Sequence, residues 1–164
     1  MATGTMTMDS TKTSDIEVAN SLLRGEISAV ETYEQAIKKL NEGEHKSIAD
    51  ELTRIRNEHS QASGALRQFV TKNGGDPSEG AGLWGVFANS VACAAKMFGP
   101  ETVIDALKQG EQHGLAEYEK AAENPDISES CRAIIRNQLP LEHEHLLDLE
   151  RMTNQLEHEA AKKK

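Results

Sequence analysis

The chain has 164 residues, the length of one domain, and its 18 basic and 27 acidic residues give a formal net charge of −9. This charge argues against binding to nucleic acid or to anionic membranes, because both require clustered Lys and Arg. Only 4% of the residues are aromatic, while Ala, Leu, Glu, Lys and Gln are abundant, so the composition favours helices over strands.

Targeting signals and membrane spans are not predicted. The longest uncharged run, residues 80–95, is too short and too mildly apolar to cross a bilayer. The first residues do not combine a basic segment with an apolar stretch, so no signal peptide is expected. Cys93 and Cys131 lie far apart without a CxxC or zinc-type spacing, which predicts reduced thiols and a cytoplasmic location.

The first half of the chain contains two predicted helices. Residues 1–14 are rich in Thr, Ser and Met without apolar periodicity, and they predict a flexible tail. Apolar residues at three- to four-residue spacing then predict helices over about 15–40 and 45–72. Two glycines and Pro77 follow the second of these and mark its end.

The second half repeats this organisation after an apolar middle segment. Residues 83–98, which include Trp84, predict a crossover helix. Periodic apolar residues predict two further helices, over about 100–123 and 128–158, and residues 159–164 form a basic tail.

Two helical hairpins joined by a long connection predict an all-α, ferritin-like four-helix bundle. The bundle is expected to form a single domain over residues 15–158, with the extra helix in the connection between the second and third bundle helices. A simple up-and-down bundle with a decorated loop is the alternative.

The two halves of the chain resemble each other in sequence. LLRGEISAVETYEQA, from Leu22, matches LKQGEQHGLAEYEKA, from Leu107, at six of fifteen positions with a shift of 85. A weaker match, at a shift of 84, relates Glu58-His59 to Glu142-His143. Two related hairpins with approximate twofold symmetry fit these matches, although Glu-rich helices also match by chance.

Glutamates interrupt the apolar stripes of three predicted helices. Glu26, Glu111 and Glu142 each fall inside a stripe, and His145 follows Glu142 by three residues, within reach of a common centre. Carboxylates on helix seams are unfavourable unless protonation, hydrogen bonding, exposure or a bound cation compensates them. Di-iron and di-manganese bundles use one Glu from each of two helices and Glu-x-x-His from each of the other two.

The second predicted helix does not complete this pattern. Glu58 and His59 are adjacent, and the apolar spacing allows either of them to point inward. Gln61 stands where Glu-x-x-His requires His, and Gln is a poor replacement for imidazole. His59 is the other candidate for this place, although it projects about 100° away from Glu58 on a helix.

The motif Gly25-Glu26-x-x-Ala29-x-x-x-Tyr33 resembles the first-helix motif of rubrerythrin-type ferritin-like proteins, and the third helix repeats its Gly-Glu and Tyr. The span over about 16–153 also resembles a bacterial ferritin-like family known as a domain of unknown function. The rubrerythrin and ferritin resemblance implies a di-iron centre with five ligands: Glu26, Glu58, Glu111, Glu142 and His145.

The chain departs from rubrerythrins at three points. Gln61 replaces one expected His, Gly114 stands where a third-helix Glu-x-x-Glu would place its second Glu, and a Cys-rich rubredoxin tail is missing. The electron-transfer chemistry of true rubrerythrins is therefore not implied.

Two functional hypotheses follow from these patterns. In the first, the bundle binds iron or manganese through the five residues, with oxygen or peroxide chemistry if both ions bind. In the second, a metal-free bundle serves a structural, stress-related or partner-binding role. Tyr33 and Tyr118 are expected to be core residues whose hydroxyls bond to nearby carboxylates. The apolar middle segment makes a homodimer plausible.

Overall fold

The computed structural model describes residues 3–41, 45–81 and 99–162, with side chains from residue 10 onward. These ranges contain four helices and no strand: α1 (Thr3–Asn41), α2 (Lys46–Lys72), α3 (Pro100–Ala122) and α4 (Glu129–Lys162). The prediction of an all-α fold with four bundle helices is confirmed over these ranges. The crossover helix predicted over 83–98, and the apolar patch on which the homodimer prediction depends, lie outside the described residues.

The first and last helices are longer than the sequence indicates. α1 begins at Thr3, within the segment predicted as a tail over 1–14, and α4 continues to Lys162, into the predicted 159–164 tail. Near the start of α1 a tertiary contact fixes the helix, because the Asp15 carboxylate accepts a hydrogen bond from the Ser128 backbone at 2.7 Å. Once a helix is nucleated, each further residue adds one hydrogen bond, so weakly patterned flanks can extend it.

The helices pack as two hairpins. α1 contacts α2 along most of its length, and α3 contacts α4 in the same way, while fewer contacts join α1 to α3 and α2 to α4. No helix in the described part of the chain combines the length and the apolar character needed to cross a membrane.

Buried apolar side chains form two clusters, one toward each end of the bundle. One cluster joins the last part of α1 and of α4 to the first part of α2 and of α3: Tyr33, Ala36, Leu40, Ile48, Ala49, Leu52, Ile55, Val103, Ile104, Leu107, Leu149, Met152 and Leu156. The other cluster joins the remaining halves: Ala19, Leu22, Leu23, Leu66, Phe69, Val70, Tyr118, Ala121, Ile127, Cys131 and Ile135. α1 and α4 therefore run in one direction, and α2 and α3 in the other. Consequently α2 ends at the opposite end of the bundle from the start of α3.

A polar layer separates the two apolar clusters. Every helix contributes to it from the stretch between its two apolar segments, and its charged or imidazole members are buried: Glu26, His59, Glu111, Glu142 and His145. Burial of this many ionisable groups is unfavourable unless they satisfy one another or bind an ion. The fold therefore concentrates its chemistry in one cross-section of the bundle.

Candidate metal centre

The two tyrosines hold the glutamates of α1 and α3 in a reciprocal arrangement. The Tyr33 hydroxyl donates to Glu111 Oε1 at 2.6 Å, and the Tyr118 hydroxyl donates to Glu26 Oε1 at 2.5 Å. Burial, reinforced by these carboxylates, raises the pKa of both tyrosines well above 10. The hydroxyls therefore stay protonated and act as donors, which confirms the expected tyrosine–carboxylate contacts.

His59 lies between these two glutamates and is only 3% exposed. Its Nδ1 is 2.8 Å from Glu26 Oε2, and its Nε2 is 3.0 Å from Glu111 Oε1. The sequence leaves open whether Glu58 or His59 points inward, and the structure places His59 at the centre of the layer. Buried residues of α2 recur at spacings of three and four, and this spacing includes His59: Leu52, Ile55, His59, Ala62 and Leu66. That spacing is the sequence signal for the position.

Glu58 reaches the polar layer from its edge. Its side chain is 23% exposed, and its Oε2 accepts a hydrogen bond from His145 Nε2 at 2.8 Å. Arg54 binds both Glu58 oxygens, at 2.8 and 2.9 Å, and also contacts Asp148. Burial acts to raise the pKa of Glu58, but the bonds from His145 and Arg54 outweigh it and lower the pKa. Gln61 is exposed and faces away from the layer.

The structure agrees with the internal sequence repeat on α1 and α3, but not on α2 and α4. On α1 and α3, the residues related by the shift of 85 are buried in matching positions: Leu22 and Leu107, Glu26 and Glu111, Tyr33 and Tyr118, Ala36 and Ala121. On α2, the buried residues at this level are His59 and Ala62, whereas on α4 they are Glu142 and His145. The residues that α2 and α4 contribute at this level therefore correspond at a shift of 83 residues, one residue away from the sequence match at 84.

Electrostatic coupling divides the charges of the layer unequally. Burial alone lowers the pKa of His59, but Glu111 and Glu26 outweigh burial and raise this pKa well above 6.5. Burial alone raises the pKa of Glu111, but His59 and His145 outweigh it and hold this pKa well below 4.5. For Glu142, burial is reinforced by Glu26 and Glu111, which raises its pKa to about 9. In the metal-free layer at neutral pH, Glu142 is therefore a neutral carboxyl group.

Two buried atoms of the layer face each other without a hydrogen-bond partner. Glu111 Oε2 and His145 Nδ1 lie 3.4 Å apart, and neither takes part in a hydrogen bond. His145 Nε2 donates to the Glu58 carboxylate, so in a neutral ring Nδ1 carries a lone pair. In that tautomer two lone pairs face each other in a buried site, and either a proton on Nδ1 or a metal cation between the two atoms would relieve the contact.

Two groups of three ligand atoms meet the distance requirements for one metal ion each. The first group is His59, Glu111 and His145, and the second is Glu26, His59 and Glu142; within each group the atoms lie within 4.8 Å of one another. Four of the five residues predicted as ligands belong to these groups. Glu58 does not, because its carboxylate is engaged by His145 and Arg54.

A cavity of about 380 Å³ adjoins the layer between α1 and α3. Most of the surface that lines this cavity is apolar. The described lining residues include three glycines beside three glutamates: Gly25, Gly110, Gly114, Glu26, Glu111 and Glu142. A Cβ atom at position 114 would lie 3.4 Å from Glu142 Oε2, so glycine leaves this carboxyl room. Gly114 stands where the Glu-x-x-Glu of rubrerythrins would place its second Glu, and in the structure this position leaves space beside Glu142.

Comparison with known proteins gives one family match. A family model described as Domain of unknown function (DUF2383) matches residues 14–124, which is more than half of the chain and extends from within α1 to just beyond α3. Neither the comparison with curated proteins nor that with solved structures gave a match.

Proposed function

We propose that this chain, which belongs to the family described as Domain of unknown function (DUF2383), is a ferritin-like bundle that binds iron or manganese in its polar layer. The observation that carries the proposal is the pair of facing, unpartnered atoms Glu111 Oε2 and His145 Nδ1, 3.4 Å apart in a buried site. Protein interiors rarely leave such atoms unsatisfied. A metal ion between them would satisfy both.

The donor set fits iron or manganese. Among the described residues, the layer offers carboxylate oxygens and imidazole nitrogens and no thiolate, since Cys131 lies in an apolar cluster outside it. Carboxylate and imidazole ligands suit iron and manganese, while thiolates would favour zinc or copper(I). The parallel course of α2 and α3, with ligands on all four helices, supports the ferritin-like arrangement.

The residues of the layer take different roles in this proposal. Four predicted ligands remain assigned to metal, and His59 joins them: Glu26, Glu111, Glu142, His145 and His59. Glu58 orients His145, because its carboxylate fixes the proton on Nε2 and leaves Nδ1 free for the ion. Tyr33 and Tyr118 orient the glutamates of the opposite helix.

Redox-active ions bound here would supply electrons to oxygen or peroxide. The protein's own contribution would be to hold the ligands and to limit water, since the layer is closed on both sides by apolar clusters. The cavity beside Glu111 and Glu142 offers space for a small reactant next to the site. Three lining residues place no side chain in this cavity because they are glycines: Gly25, Gly110 and Gly114.

The test is metal content after loading the purified full chain with Fe(II), Mn(II) or Zn(II) and desalting. We expect iron or manganese to be retained, and Glu111→Gln to retain less. Glu119→Gln, an exposed position on the same helix, is the matched control and should behave as the unchanged chain. If no ion is retained, the metal-free bundle of the alternative hypothesis is the correct description.

A further inference from the structure

His59 is the one residue shared by the two candidate ligand groups of the described chain. Its two ring nitrogens face different glutamates, with Nδ1 toward Glu26 and Nε2 toward Glu111. Each nitrogen therefore lies beside a carboxylate of a different group. The carboxylates are divided between the groups, since Glu26 and Glu142 occur only in one and Glu111 only in the other.

The metal-free contacts of His59 already have a bridging geometry. Both of its neighbours, Glu26 Oε2 and Glu111 Oε1, belong to carboxylates, and an ionised carboxylate only accepts hydrogen bonds. Both ring nitrogens therefore act as donors, and the protonated ring connects the two acids. Two cations in place of the two protons would preserve this connectivity.

We infer that His59 is a bridging ligand between two metal ions, an inference that rests on the metal-binding function proposed above. Nδ1 would serve the ion held by Glu26 and Glu142, and Nε2 the ion held by Glu111 and His145. The ring loses both nitrogen-bound protons and Glu142 loses its carboxyl proton, all three to solvent, so that the ring becomes an imidazolate and Glu142 a carboxylate with no change of oxidation state.

Charge balance supports this assignment. Three carboxylates and one imidazolate carry four negative charges, which equal the charge of two divalent cations. A neutral imidazole on one ion would leave the other group with one fewer nitrogen donor. Glu58 does not supply a bridge, because Arg54 and His145 hold its carboxylate at the edge of the layer.

Copper(II) is a suitable probe because it binds imidazole strongly and its unpaired electron gives an electron paramagnetic resonance signal. The full chain is titrated with Cu(II), with bound copper measured in parallel. We expect the integrated signal to rise with the first equivalent and to fall as the second binds, because an imidazolate couples two neighbouring spins antiferromagnetically. Retention of two coppers without this loss of signal would overturn the bridge and leave metal binding intact.

Three variants separate the bridge from general metal binding. Glu142→Gln should bind one copper with a full, uncoupled signal, because one group loses a ligand. His59→Gln should abolish the coupling at any stoichiometry, and persistence of coupling in this variant would also refute the bridge. His143→Gln, at an exposed position on α4, should titrate as the unchanged chain does. Thermal unfolding of each metal-free variant verifies that it is folded.

The outcomes distinguish the two levels of inference. If copper is not retained by the folded chain, the proposed metal-binding function fails together with the bridge. If a single copper binds and no second ion follows, the function stands and the bridge is wrong. The same holds if two ions bind with independent spectra.

Discussion

Tyr33 on α1 donates a 2.6 Å hydrogen bond to Glu111 on α3, 78 positions further along the chain. Tyr118 returns the same contact to Glu26 from α3 to α1. Each member of the internal sequence repeat thus holds the glutamate of the other member. The repeat therefore describes a physical symmetry between α1 and α3, centred on the polar layer.

Replacing either tyrosine by phenylalanine should destabilise the metal-free protein. The change removes one donor from a buried carboxylate while keeping the ring, and the expected cost is about 1–3 kcal/mol. Because the two contacts are equivalent, Tyr33→Phe and Tyr118→Phe should cost similar amounts. Urea unfolding of the two variants measures this, and a negligible cost in both would show that the hydroxyl contacts contribute no stability.

Glu142→Gln should leave the metal-free protein nearly as stable as the unchanged chain. The pKa of Glu142 is raised to about 9, so at pH 7 the side chain is already neutral, and an amide has nearly the same shape. The stabilisation by added metal should fall, since an amide is a weaker ligand than a carboxylate. Thermal midpoints with and without Mn(II) test both statements.

The control for this experiment is Glu144→Gln, at an exposed position one half-turn away on α4. It should change neither midpoint. A large loss of metal-free stability in Glu142→Gln would instead indicate that this carboxylate is charged in the folded protein.

The metal-free protein should lose stability as the pH rises from about 5 to 9. The folded-state pKa of Glu142, about 9, lies above the usual 4.5, so its folded form binds the extra proton in this window and stability declines with pH. The pKa of His59 is also raised, so its stabilising contribution is complete below 6.5 and is lost as the pH passes its folded value. Each such proton changes stability by at most about 1.4 kcal/mol per pH unit.

Glu111 acts in the opposite direction at acid pH. Its pKa is lowered, so its stabilising contribution is present above 4.5 and is lost as the pH falls through the folded value. Chemical unfolding of the metal-free protein between pH 4 and 9 should therefore show a maximum on the acid side of neutrality. A stability that rises steadily toward pH 9 would contradict these pKa directions.

Glycine-to-alanine changes should distinguish a helix position with free space from one beside the layer. A Cβ at Gly64 on α2 meets nothing within 4 Å, whereas one at Gly114 lies 3.4 Å from Glu142 Oε2. Gly64→Ala should stabilise the protein by about 0.5–1 kcal/mol through helix propensity. Gly114→Ala should gain less, because Glu142 must move, and equal gains in urea unfolding would show that the carboxyl has room to spare.

The sequence predicts the helices because the local spacing of apolar residues encodes them. Apolar periodicity locates the four bundle helices, and the two glycines and Pro77 after α2 mark its end. The two ends before residue 15 and after residue 158 lack such a pattern, and the helices there extend beyond the bounds that the spacing predicts. Helix propagation and a distant contact, from Asp15 to the Ser128 backbone, decide the first of them.

The sequence predicts part of the candidate site. The three glutamates Glu26, Glu111 and Glu142 interrupt apolar stripes, and His145 follows Glu142 by three residues. The structure brings all four into one buried layer. The sequence leaves open whether Glu58 or His59 points inward, because the choice depends on the rotation of α2 about its axis. An angular difference of about 100° between neighbours is small enough for both to reach the layer, one centrally and one from its edge.

The sequence by itself determined that this protein is helical and that carboxylates occupy the seams of its helices, because both properties depend on residue spacing along one helix. Tertiary structure alone decided which side chains meet. It placed His59 between Glu26 and Glu111, turned Gln61 outward, and left two facing atoms of Glu111 and His145 without partners. The physical reason is that these contacts join residues on different helices, and their geometry depends on how the helices rotate and pack against one another.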